Sequence, residues 1–162
     1  MAQIYVSIGS NIQPAENIRS CIAALSTLYP DLAVSSVYKS KSIGFDGEDF
    51  YNLVAGFESD KDIYTIIEQM KEIETLHNRA RKSHRFTSRT LDIDLLLYGD
   101  MVMSTWEFNV PRDEIMQYAF VLCPLAEIAG DEIHPVTGAT YQLMWQKFTD
   151  KSQQLSRLEF QW

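Results

Sequence analysis

Residues 90–98, Thr-Leu-Asp-Ile-Asp-Leu-Leu-Leu-Tyr, are the most strand-like run in the chain and constrain its fold more than any other segment. Alternation along an extended strand sends Leu91, Ile93, Leu95 and Leu97 to one face, where they can anchor it in a core. Asp92 and Asp94 take the opposite face, about 6.5–7 Å apart at Cα. Carboxylates fixed side by side repel, and each raises the other's proton affinity unless a cation sits between them. Hard oxygen donors of this kind suit Mg2+, which takes one or two carboxylates together with water and phosphate oxygens. A lone Asp-x-Asp equally describes two acids on a solvated face, each paired with an arginine.

The charge pattern beside that strand bears on the choice. The chain has 14 basic and 22 acidic residues and a formal charge of −8. Five of the basic residues, Arg79, Arg81, Lys82, Arg85 and Arg89, fall within residues 79–89 with no acid between them. A guanidinium fork matches phosphate oxygens and stays charged. A metal-binding acid pair at the end of a basic loop is the equipment of phosphoryl transfer, in which metal bridges phosphates and arginines offset transition-state charge. A basic loop alone is more often a solvated surface or an RNA contact. Net acidity and the adjacent acid pair count against RNA.

Helical periodicity frames the strand. Ile18, Cys21, Ile22, Leu25 and Leu28 form one apolar stripe between Pro14 and Pro30. Ile63, Ile66, Ile67, Met70, Ile73 and His77 form a second, with Ser59 and Asp62 as its capping box. Residues 3–8, 34–38 and 50–57 read as strands, 101–103 as a hairpin partner of the acid-bearing strand, and 158–162 as a terminal strand. Residues 39–49 read as a loop and 104–118 as irregular. Residues 120–128 read as a helix with Pro124 near its first turn, and 141–148 as a last short helix. Strands and helices mix without strict alternation, so an α+β fold is expected. At 162 residues, with no internal repeat or linker, one domain is expected over 1–162.

Two cysteines, Cys21 and Cys123, make neither a disulfide framework nor a four-ligand zinc site, and both read as reduced core residues. No apolar run approaches the roughly 20 residues of a membrane span, and Met1 to Tyr5 does not read as a signal peptide. A cytoplasmic monomer with small-molecule substrates, and with no nucleic-acid or membrane partner, is expected. The Gly-x-x-x-x-Gly-Lys-[Ser/Thr] loop and the Gly-rich kinase loop are both missing from the sequence. His77, His84 and His134 show no metal spacing. Glu74 suits a salt bridge to a loop arginine or a nucleotide contact. Phe50 and Phe86 can sandwich a flat ring while Asn52 reads its edge; each alone, like Phe120, is more often a core or lid packing residue.

Taken together, these residues resemble the 6-hydroxymethyl-7,8-dihydropterin pyrophosphokinase family. The resemblance runs through Tyr5-Val6-Ser7-Ile8-Gly9-Ser10-Asn11, Tyr51-Asn52, Glu74 to Gly99, Val110-Pro111 and Phe120 to Leu125. It is most specific at Arg79-Ala80-Arg81-Lys82 and at Ser88 to Asp94. The resemblance implies a ferredoxin-like α+β sandwich and transfer of pyrophosphate from ATP to the pterin's hydroxymethyl oxygen, giving AMP. It implies that Asp92 and Asp94 hold two Mg2+ ions and that Arg79 and Arg89 stabilise the transferring group. It puts Glu74, Arg81, Leu95 and, in place of a histidine, Arg112 on ATP. It puts Ser40, Ile43, Phe50, Asn52, Phe86 and Phe120 on the pterin.

The chain departs from that pattern at Ser40-Lys41, Phe50, Phe86-Thr87-Ser88, Glu107, Arg112-Asp113 and Tyr118. Acids at 107 and 113 repel phosphate, so altered ATP binding is expected. The alternative is a diverged paralogue that binds pterin with little or no turnover.

Overall fold

The computed structural model describes residues 1–41, 49–78, 90–150 and 152–162. In chain order the elements are β1 (Ala2–Ser10), α1 (Pro14–Leu28), β2 (Ala33–Val34), β3 (Tyr38–Ser40), β4 (Phe50–Ser59) and α2 (Ile63–Asn78). They continue with β5 (Asp92–Tyr98), β6 (Met103–Ser104), β7 (Asn109–Val110), α3 (Glu114–Gln117), α4 (Ala119–Ala129), α5 (Tyr141–Gln146) and β8 (Leu155–Arg157). The main sheet runs β5-β1-β4-β3-β8, with β2 also on β4, and its pairings are antiparallel.

Alternation divides this sheet between two cores. Ile4, Val6 and Ile8 point to the side covered by α1 and α2, where Ile18, Leu25 and Ile66 are fully buried. Tyr5, Val54 and Leu96 point to the other side, against Leu122 and Leu125 of α4 and Tyr141 of α5. Helices therefore cover both faces of an antiparallel sheet, the α+β layering expected from the sequence. Gly56 permits one close approach across strands. A Cβ there would stand 2.6 Å from the Tyr5 ring, which is buried and hydrogen-bonded through its hydroxyl to Glu132.

Several local expectations are corrected. The 34–38 strand is two short strands, separated where Ser35 leaves the ladder to accept the Val54 N–H on its hydroxyl. The cap of α2 is Asp62, whose carboxylate accepts the Thr65 N–H at 2.8 Å, while Ser59 accepts only from Lys61. Met103 pairs with Val110 of β7, not with β5. Residues 104–118 thus hold β7 and α3. Pro124 lies inside α4, beyond the first turn. The terminal strand is 155–157, and Leu158 only donates its N–H to Val37. Leu28 is exposed, and Cys123 is only half-buried.

The most consequential correction is at Leu97. The register passes from Tyr5 opposite Leu97 to Val6 opposite Leu95, so Leu96 is an extra residue in β5. This bulge reverses the alternation beyond it. Leu97 joins Tyr5 in the α4 core instead of following Leu95. Among the described residues, no helix is long and apolar enough to cross a membrane.

Candidate active site

Asp92 and Asp94 sit at the start of β5, an edge strand, with Gly9 and Ser7 of β1 opposite them. Their anchor is as expected: Leu91, Ile93 and Leu95 are buried in the α1–α2 core. An edge strand has amides without a ladder partner, and α2 supplies one. Glu74 Oε2 accepts the Ile93 N–H at 2.7 Å, which draws a third carboxylate toward the aspartates. Burial pushes Glu74 up to about 7, against the pull of the Ile93 N–H, and Asp92 and Asp94 raise it further. Burial likewise pushes Asp94 up to about 6, Asp92 adds to the rise, and the Arg112 cation opposes it.

Arg112 arrives through the bulge. Its N–H donates to the Leu96 carbonyl at 3.0 Å, fastening the segment after β7 to β5. The guanidinium then reaches Asp94 Oδ1 at 3.6 Å and Glu114 Oε1 at 2.9 Å. The turn between β6 and β7 is closed by Thr105, whose hydroxyl accepts the Glu107 and Phe108 N–H groups. That turn brings Glu107 and Phe108 to the same place. The result is a cavity of about 220 Å3 whose lining includes Glu74, Asp92, Asp94, Leu95, Glu107 and Arg112. Both predicted metal ligands and three of the predicted ATP residues meet there. Lys71 lines it as well. Sequence reasoning missed this residue, although it lies three positions before Glu74 on one helix face. Asp113, expected to repel phosphate beside Glu107, is exposed and caps α3 by position.

Of the predicted pterin residues, Ser40, Phe50 and Asn52 lie across the same sheet face. Register puts Asp92, Gly9, Asn52 and Tyr38 in one row over four strands. Asn52 is therefore two strand spacings, roughly 10 Å, from Asp92. A Cβ at Gly9 would stand 3.2 Å from Asn52 Oδ1, so glycine leaves that amide its room. Asn52 is buried and donates from Nδ2 to Ser40 Oγ at 2.8 Å. Phe50 lies opposite Ser40 in the ladder. Ser40 and Phe120 both line a cavity of about 510 Å3 that the segment before β8 closes. Phe120 is stacked on Tyr118, with ring centroids 5.1 Å apart.

Gln153, also missed by sequence reasoning, fastens the closing segment. It accepts the Ala119 N–H and donates to the Gln117 carbonyl and to Asp150. Nothing in its local sequence marks it. Arg79, Arg81, Phe86 and Arg89, like Ile43, lie outside the described residues.

Among the described residues, no group of three His, Cys, Asp or Glu side chains is arranged to hold a metal ion. The donor set is the aspartate pair, with phosphate and water left to complete a shell. That suits Mg2+ and is unlike a closed protein cage. Burial and the neighbouring Asp92 raise the proton affinity of Asp94 by more than the Arg112 guanidinium lowers it, so further positive charge at the pair is favourable. The pair fits the ion.

The family model for 7,8-dihydro-6-hydroxymethylpterin-pyrophosphokinase matches residues 5–130. The chain is 34% identical over 139 residues to the 2-amino-4-hydroxy-6-hydroxymethyldihydropteridine pyrophosphokinase of Haemophilus influenzae, covering 83% of this chain and 86% of that one. It is 34% identical over 134 residues to the same-named protein of Pseudomonas aeruginosa, covering 80% and 82%. Among solved structures, the wild-type HPPK-DHPS of Plasmodium falciparum with SDX-DHP superposes with a TM-score of 0.65 at 15% identity. That match covers 91% of this chain but only 44% of the other. At such identity it speaks for the fold, an α+β sandwich of the ferredoxin-like kind.

Proposed function

This chain belongs to the 7,8-dihydro-6-hydroxymethylpterin-pyrophosphokinase family, and from that membership we propose how its residues divide the work. It is an ATP-dependent pyrophosphokinase of folate biosynthesis. The pterin hydroxymethyl oxygen attacks the β-phosphorus of ATP, the bond from that phosphorus to the α,β-bridging oxygen breaks, AMP leaves, and the hydroxyl proton is lost.

Asp92 and Asp94 hold Mg2+, two ions in this reading, which offset phosphate charge when bound. Arg79 and Arg89 stabilise the transferring group. Glu74, Arg81, Leu95 and Arg112 contact the nucleotide. Ser40, Ile43, Phe50, Asn52, Phe86 and Phe120 enclose the pterin, with Asn52 presenting its amide to the ring edge. Residues 1–162 act as one domain, a monomer in the cytoplasm that serves small-molecule substrates.

One observation carries this reading. Glu74, Leu95 and Arg112 converge with the aspartate pair on a single cavity, and the aspartates share a sheet face with Asn52. Glu107 in the same lining sets a phosphate-repelling charge beside the nucleotide, so weak ATP binding is expected. The test is release of AMP from ATP with 6-hydroxymethyl-7,8-dihydropterin present. Pterin-dependent, Mg2+-dependent AMP formation supports the assignment. Pterin binding without AMP, at saturating ATP and Mg2+, overturns it.

A further inference from the structure

The Arg112 guanidinium is held firmly on one side and loosely on the other. Glu114 Oε1 accepts from Nε at 2.9 Å and lies 2.9 Å from Nη2. The same Nη2 stands 3.6 Å from Asp94 Oδ1, beyond hydrogen-bond length yet close enough for a charge pair. The backbone behind it is fixed by the N–H donated to Leu96, so only the side chain is free to change partner. The side chains of Arg112, Asp94 and Glu114 are 32%, 29% and 31% exposed. A hydrated ion can reach Asp94 without opening the core.

A guanidinium and a divalent cation are both positive and seek the same carboxylate oxygen. Resting on the reading of Asp94 as a metal ligand, we propose that Arg112 is a displaceable counter-ion. It balances Asp94 before metal arrives, and Glu114 draws it back when a divalent cation takes that carboxylate. Its outward N–H groups are then available to nucleotide phosphate. Glu114 is the positioning residue that sets the exchange, because it is the stronger of the two partners and remains paired in both states. The arrangement follows from this chain's own Arg112, where the family pattern has histidine. Two charges of opposite sign, one of them able to move, thus tune one metal site from outside its coordination shell.

Mn2+ alone is the probe, titrated into the full chain without nucleotide and followed by the signal of the free ion in electron paramagnetic resonance. Arg112→Gln is expected to tighten Mn2+ binding by roughly three- to tenfold, the scale of a partly exposed charge pair. Glu114→Gln, which leaves the guanidinium to Asp94, is expected to weaken it by a similar factor. In the Arg112→Gln background, Glu114→Gln is expected to do much less, since Glu114 acts through Arg112. Asp94→Asn removes the site.

Wild-type affinity in both single variants, with Asp94 still required, overturns the counter-ion role and leaves the metal assignment standing. Shifts of the same sign in both, or an undiminished effect of Glu114→Gln without Arg112, overturn it too. Equal binding by wild type and Asp94→Asn removes the metal assignment itself, and the inference falls with it. Melting curves of each variant establish that the comparison is between folded proteins.

Discussion

Arg89 ends the basic segment three residues before Asp92, and its charge is expected to matter most when the pyrophosphoryl group is in transit. Arg89→Ala should therefore lower kcat by roughly 10³-fold while pterin affinity stays within about threefold. Steady-state kinetics beside pterin calorimetry would separate the two, and equal losses would contradict the role. His134 makes a residue-scale prediction far from the site. It is buried, and its Nδ1 accepts N–H groups from Val136 and Thr137 at 3.1 Å each. Burial holds its proton affinity below the ordinary histidine value. The unfolded chain then binds the proton more readily, so the stabilisation is complete above about pH 6.5 and is lost progressively as pH falls below that value and through the lower one of the folded state. Between pH 7.5 and 5.5 the melting temperature of wild type should fall further than that of His134→Asn. Parallel curves would contradict this. Histidine spacing predicted no metal role, but it carried no hint that the ring caps its own turn.

At the scale of elements, β1, β4 and β5 were the legible part. Their alternation is long and their apolar faces meet helices whose stripes were equally plain. The short pieces were not legible. Strands of two or three residues such as β2, β6, β7 and β8 have too few positions to establish a period, and their pairing is decided by distant chain. The bulge at Leu96 is of the same kind: three leucines in a row read alike in either register, and the break shows only against Tyr5 and Val6. Gly56 gives this scale its prediction. With Cε1 of the Tyr5 ring 2.6 Å from where a Cβ would stand, Gly56→Ala should force strands or ring apart and cost about 1–3 kcal/mol. Urea denaturation of the variant measures it. A neutral result would mean the ring moves freely, against its burial and its bond to Glu132.

For the whole molecule, one sheet serves two cores, and that bears on cooperativity. Leu25 in the α1–α2 core and Leu122 in the α4 core are both essentially buried. Leu25→Ala and Leu122→Ala should each cost about 2–5 kcal/mol and shift a single transition, because β1 and β4 belong to both layers. A two-step melt in either variant would show that the layers fold separately and would undo the one-domain assignment. The amino-acid order by itself determined what is local or periodic: the long strands and helices, the aspartates on one face, the basic segment beside them, and the motif that marks the family. Tertiary structure alone decided which of these meet. Glu74 comes to the acids because an edge amide needs an acceptor, and Arg112 comes because a bulge leaves a carbonyl for its N–H. Asn52 faces the same side because register across Gly9 aligns it. Pairings between residues many positions apart leave no period in a sequence, and only the closing of the sheet selects them.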